Sequence, residues 1–274
     1  MLFTLLIATA TGLCTGLGVV PFLFRRTIPR WSYDMILGLG AGLMIAAATL
    51  GLLSTALEYV RPEGAPLQPG ALAQVLTGFA LGVAAMTLMD WLIPHHHAGG
   101  HHEHIGHAHA GHGADASHPH EHEHGEEVHK GLLITGAMTI HRFPEGFAIG
   151  IAFASGHSHS LGWLLAVTIA FQNICEGAVM GAPLRYGGWS RLKSLLAVSA
   201  TGMAMPVAAL VGYAAGSLLS GALPFSLSVA AGALVYLISN EIIPETHSHG
   251  HEKVATLGLL AGFLVVIVVR SLEH

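Results

Sequence analysis

Charged side chains are scarce in this chain. Only 10% of its 274 residues are Asp, Glu, Lys or Arg, against roughly a quarter in an ordinary soluble domain. A conventional water-facing surface is therefore excluded. Cysteine is scarcer still: Cys14 and Cys175 both lie inside apolar runs, which excludes a disulfide framework. No basic patch is present to meet a nucleic acid. What is plentiful is apolar sequence, at 52%, with 35 glycines that suit close helix packing in lipid. The formal charge of −5 leaves out 21 histidines, so the working charge depends on pH and bound metal.

A membrane-crossing helix needs about 20 mostly apolar residues. Eight segments qualify: 2–24, 33–57, 70–93, 131–154, 160–184, 192–219, 225–243 and 254–271. The expectation is an all-α membrane protein with eight transmembrane helices. Helices 1–3 occupy 1–94, a histidine-rich loop occupies 95–129, and helices 4–8 occupy 130–271. Residues 272–274 are read as the remnant of a cloning-derived histidine tag. The first run has no basic residues before it and Arg25 and Arg26 after it, so a retained span is expected rather than a signal peptide.

Lys and Arg set the orientation. Arg25, Arg26, Arg30, Lys130, Arg185, Arg191, Lys193 and Lys253 all fall in loops that follow odd-numbered spans, whereas Arg61 and Arg270 fall on the other side. The first set predicts cytoplasmic loops and both termini outside. Spans 3 and 7 each end in an acid and a proline, Asp90-Trp91-Leu92-Ile93-Pro94 and Glu241-Ile242-Ile243-Pro244, with histidines following. That is compatible with two related three-helix units flanking spans 4 and 5.

Two strings interrupt the central spans: His141-Arg142-Phe143-Pro144-Glu145-Gly146 and Gln172-Asn173-Ile174-Cys175-Glu176-Gly177. In each, two side chains able to ligate metal stand four residues apart and share one helix face. Pro144 withholds a backbone donor and crowds the Ile140 carbonyl, four residues back, and irregular backbone at membrane depth lines a cavity or is buried in protein. His141, Glu145, Gln172 and Glu176 together offer one imidazole, two carboxylates and an amide oxygen. That mixed set suits Zn²⁺, Cd²⁺, Fe²⁺ or Mn²⁺ better than Ca²⁺. A lone intramembrane His or Gln more often bonds helix to helix. Paired carboxylates and ligands on neighbouring spans argue for an ion site instead. A zinc protease would want His-Glu-x-x-His, which neither string provides.

The two strings resemble the signature motifs of the ZIP (Zrt/Irt-like) metal transporters: His-Asn-x-Pro-Glu-Gly in the fourth helix and Gln/His-Asn/Asp-x-x-Glu-Gly in the fifth. The likeness runs over most of the chain and is greatest to the bacterial GufA-like branch. It implies a 3+2+3 arrangement of eight helices and a permease for Zn²⁺ or Cd²⁺, with Fe²⁺ and Mn²⁺ also admissible. It further implies inward transport, a homodimer in the cell membrane, and an elevator-type alternating-access motion. No enzyme activity, organic cofactor or nucleic-acid partner is implied. Met44, in Gly40-Ala41-Gly42-Leu43-Met44, falls where the family offers a soft ligand. Relatives often bind a second ion through the Asn after the histidine and an acid after the glutamine. Here those positions are Arg142 and Asn173. A guanidinium ligates nothing and stays charged, so Arg142 is expected to pair with Glu145 or Glu176 and leave a one-ion site.

Towards the cytoplasm, the family's His-Glu exit pair corresponds to Asn240 and Glu241, followed by His247, His249 and His251; Asp90 and His95 stand at the matching end of span 3. Residues 95–129 hold 14 histidines among acids and glycines without apolar periodicity, and are read as a disordered metal buffer. His157 and His159, in the outer loop, are candidates for collecting ions. Two other functions fit the sequence less well. A cation-diffusion exporter has six helices and a soluble cytoplasmic domain. A non-transporting metal sensor needs an output domain. The chain shows neither.

Overall fold

The computed structural model describes residues 1–24, 29–61, 69–92, 139, 142–154, 159–186, 188–218, 223–247 and 250–271. Their regular structure is helical throughout, with no strand among the described residues. The sequence reading placed His95, the histidine-rich loop, His141, His157, His249 and the tag remnant in functional or processing roles. All lie outside the described residues, as does the side chain of His159.

Seven helices among the described residues are long and apolar enough to cross a membrane. We label them with the shorter fourth in chain order. α1 covers Leu2–Leu17 and Val20–Phe24, and α2 runs Arg30–Val60. α3 is Pro69–Leu92, α4 is helical over 142–154, and α5 is His159–Tyr186. α6 covers Arg191–Thr201 and Ala204–Leu218, α7 runs Leu223–Thr246, and α8 Glu252–Ser271. Seven of the eight expected spans thus appear within three residues of their predicted bounds. The fourth, expected over 131–154, is described at 139 and from 142 onward.

Prolines explain most breaks in these helices. A proline at position i clashes with the carbonyl at i−4 and cannot donate to it. Pro21 stands four residues after Leu17, where the first part of α1 ends. Pro206 stands four after Gly202, where α6 is interrupted. Pro244 stands four after Asn240, inside the π-helical turn Ile238–Ile242 of α7. A second π-helical stretch, Ala47–Leu53 in α2, has no proline. There the Thr49 hydroxyl donates to the Ile45 carbonyl at 2.6 Å and the Ser54 hydroxyl to the Leu50 carbonyl at 2.5 Å. Such back-bonding competes with the ladder and loosens a helix locally.

Glycines let the backbones approach. Cβ atoms at Gly42 and Gly258 would run into the Leu259 and Met35 carbonyls, closing α2 against α8. Gly82 and Gly232 do the same for α3 and α7. α1 crosses α6 where Gly12 meets Gly202, and α4 lies on α6 through Gly146 and Gly150. Of the seven membrane-length helices among the described residues α5 is the most enclosed, with 78% of an apolar window buried, against 22% for α3 and for α8. It packs most extensively on α1 and α2 and also meets α6 and α4. The outward faces of α3 and α8 carry Leu76, Leu81, Leu88, Leu257, Leu260 and Leu264, as lipid contact requires.

One end of the bundle gathers the C-terminal ends of α1, α3, α5 and α7 with the starts of α2, α6 and α8. Arg185 Nε donates to the Phe22 carbonyl at 3.3 Å, and its Nη1 donates to that of Trp189. At the other end, Phe3, Phe153 and Trp163 pack edge to face across α1, α4 and α5. There Arg270 also reaches Ser54 Oγ at 2.7 Å and Glu58 Oε1 at 3.2 Å.

Candidate metal site

α4 and α5 each present an acid to the middle of the bundle, and both acids are buried: Glu145 is 0% exposed and Glu176 3%. Gln172, four residues before Glu176, sits on the same face of α5 and is equally buried. Its amide nitrogen donates to both acids, to Glu145 Oε1 at 2.5 Å and to Glu176 Oε1 at 3.1 Å. An amide nitrogen has no lone pair for a cation. Gln172 as oriented therefore ties the two carboxylates together, and must turn its amide to ligate through oxygen.

Arg142 lies one helical turn before Glu145 and is completely buried. Its Nη1 is 3.0 Å from Glu145 Oε2 and its Nη2 is 2.9 Å from Glu176 Oε2. Nη1 also donates to Asn173 Oδ1. Asn173 is held in turn by α1 and α6: its amide nitrogen donates to the Thr11 carbonyl at 2.8 Å and to Met205 Sδ at 3.2 Å. The guanidinium therefore bridges both carboxylates, by a hydrogen bond to Glu145 and an ion-pair contact to Glu176, and Arg142 Nε and Nη2 are left buried without a hydrogen-bond partner. Two carboxylates and one guanidinium give this centre a net charge of −1. Further hydrogen bonds offset the cost of burying an ion pair, and Gln172 and Asn173 supply part of them here.

Met44 is fully buried in the apolar core that α2 shares with α4, α5 and α7. His141 would complete the predicted ligand set but lies outside the described residues. Among those residues no three His, Cys, Asp or Glu side chains converge; the centre contributes two of that kind.

The exit candidates among the described residues stand at the ends of α3 and α7 and at the start of α8. Asn240 donates to Asp90 Oδ2 at 3.1 Å, joining α7 to α3. Glu241 is partly buried in the π-helical turn of α7. His247 Nδ1 stays with its own helix end, 2.9 Å from the Ile243 carbonyl. His251 Nδ1 lies 3.2 Å from Asp34 Oδ2, at the start of α2. Asp34 is completely buried and was not singled out in the sequence. The signal was available: an acid within an apolar span, the same sign that exposed Glu145 and Glu176. Thr11 and Met205, which hold Asn173, carry no comparable signal.

The family described as ZIP Zinc transporter matches residues 1–270. The chain is 37% identical over 257 residues to the zinc transporter GufA of Myxococcus xanthus, covering 94% of this chain and 93% of that protein. It is 35% identical over 255 residues to the zinc transporter ZIPB of Bordetella bronchiseptica, covering 92% and 75%. It is 30% identical over 277 residues to the zinc transporter ZupT of Akkermansia muciniphila, covering 98% and 97%.

Proposed function

Because this chain belongs to the ZIP family of zinc transporters, we propose that it is a permease carrying zinc toward the cytoplasm through a centre on α4 and α5. Glu145 and Glu176 neutralise the ion, His141 and the turned amide of Gln172 complete its shell, and Met44 supplies a soft contact. Arg142 and Asn173 modulate the centre and fill the place of a second ion, so one ion binds at a time. Cd²⁺ fits the same donors, with Fe²⁺ and Mn²⁺ less suited. The ion leaves past Asp90, Asn240, Glu241, His247 and His251, with His95 and His249 on the same route. The protein works as a homodimer of eight-helix, 3+2+3 protomers in the cell membrane, with both termini outside.

The observation that carries this reading is the pair of fully enclosed carboxylates on neighbouring spans. Ionisable groups at such depth are costly and mark ion pathways. Elevator-type alternating access draws support from the packing. The helices bearing the carboxylates share close backbone contacts with α1 and α6, whereas α2 closes on α8 and α3 on α7. Two bodies joined chiefly along α2 and α5 are suited to slide.

Uptake of radiolabelled zinc into vesicles tests the reading. Glu145→Gln is expected to cut uptake about 100-fold, because an anionic ligand is replaced by a neutral one. Deleting 98–127 is expected to leave uptake within about twofold, since that loop only buffers. A properly inserted deletion variant that transports nothing would move the essential site into the loop.

A further inference from the structure

We propose that Arg142 is a built-in counter-cation that equalises the charge of the loaded and unloaded centre, and thereby sets how readily the unloaded carrier returns. The inference rests on the alternating-access reading through Glu145 and Glu176.

The guanidinium is tied to the helices that would move with the ion. It spans Glu145 on α4 and Glu176 on α5, at 3.0 and 2.9 Å. Through Asn173 it is also fastened to the Thr11 carbonyl of α1 and to Met205 of α6. Such a group travels with the site. Arginine also keeps its charge where lysine gives it up on burial.

Charge counting then gives the function. Glu145, Glu176 and Arg142 together carry −1, and adding a divalent ion makes the centre +1. Neutral imidazole and amide ligands leave this count unchanged. Without the guanidinium the same centre is −2 unloaded and neutral loaded. The cost of moving charge through a low-dielectric region grows with the square of that charge. With Arg142, both forms bear one unit and meet comparable penalties. Without it, the loaded form crosses freely and the unloaded form meets a penalty about four times larger than with the arginine. Net uptake needs both crossings, whereas exchange of one ion for another needs only the loaded one. Removing the cation therefore penalises uptake selectively.

The test uses the full chain in phospholipid vesicles with the membrane potential clamped. Net entry of radiolabelled zinc into metal-free vesicles is compared with exchange into vesicles preloaded with unlabelled zinc. For Arg142→Gln, at zinc concentrations that load a single ion, the ratio of exchange to net uptake is expected to rise about tenfold or more. Asn173→Asp keeps the guanidinium yet sets the same −2 and neutral pair of charges, so it is expected to raise the ratio in the same direction. If Arg142→Gln does not insert, Asn173→Asp decides alone. A ratio within about twofold of the parent's in every variant that inserts overturns the proposal, whether both fluxes fall together or neither does. The underlying reading fails separately, if Glu176→Gln exchanges and takes up zinc as the parent does.

Discussion

Glu176→Ala is expected to abolish zinc uptake, by about 100-fold or more, in a protein that still folds. Both halves follow from the same contacts. The substitution removes one of the two proposed anionic ligands and leaves Arg142 facing Glu145 alone, so the centre becomes neutral before any ion arrives. A divalent cation would then enter beside a fixed positive charge with one carboxylate to receive it. Coulomb interactions between close charges in a partly enclosed site run to several kcal/mol at an effective dielectric constant of about 20, and each 1.4 kcal/mol is about a factor of ten in affinity. The fold survives because the remaining pair is complete: Arg142 Nη1 keeps Glu145 at 3.0 Å and Gln172 keeps its bond to the same acid. The stability cost is expected to be about 1–3 kcal/mol, the ordinary range for a buried truncation. Size-exclusion profile and thermal unfolding, measured beside uptake, separate loss of site from loss of fold. Uptake at the parent's rate in Glu176→Ala would remove Glu176 from the transport site.

Arg142→Asn is expected to tighten zinc binding at the centre rather than weaken it. It leaves Glu145 and Glu176 facing each other with the Gln172 amide as a shared donor but no counter-cation. Breaking a buried pair by removing one partner costs about 3–5 kcal/mol, so the metal-free variant should unfold at a lower temperature than the parent. Zinc should then stabilise the variant far more than it stabilises the parent, because a ligand that binds only the folded state adds stability in proportion to the logarithm of its concentration over Kd. Loss of the repelling guanidinium is expected to tighten binding about tenfold or more. The space and the two carboxylates it held become available to a second ion. Thermal unfolding across a zinc series measures the first effect, and calorimetric titration the affinity and stoichiometry. Unchanged affinity and stoichiometry would mean that Arg142 neither repels the ion nor fills the second position.

Much of the membrane architecture was legible because lipid imposes it. A span must be long and apolar, and Leu2–Phe24, Arg191–Leu218 and Glu252–Ser271 begin and end within three residues of where hydropathy put them. The interruptions were legible in principle but were read only at Pro144. The same clash with the carbonyl four residues back operates at Pro21, Pro206 and Pro244, and it predicts the breaks at Leu17 and Gly202 and the loosened turn at Asn240. Spacing along one helix placed Gln172 beside Glu176, since residues four apart share a face. Contacts between helices were harder. The sequence offered Arg142 one carboxylate or the other, whereas the structure gives it both, with Asn173 as a third partner. The orientation of Gln172, nitrogen toward the acids, depends on where Glu145 sits across the helix interface, and no periodicity reports that. Asp34 was passed over although it stands in an apolar span, because its partner His251 is 217 residues away.

The central claim is that one ion binds between Glu145 and Glu176 while Arg142 takes the place of another. Anomalous diffraction from crystals of the full chain soaked in Cd²⁺ tests it most directly, because the scattering both locates and counts the ions. The account predicts a single strong peak between those two carboxylates, with the guanidinium still beside them. Two peaks side by side, or a principal peak elsewhere in the bundle, would contradict it.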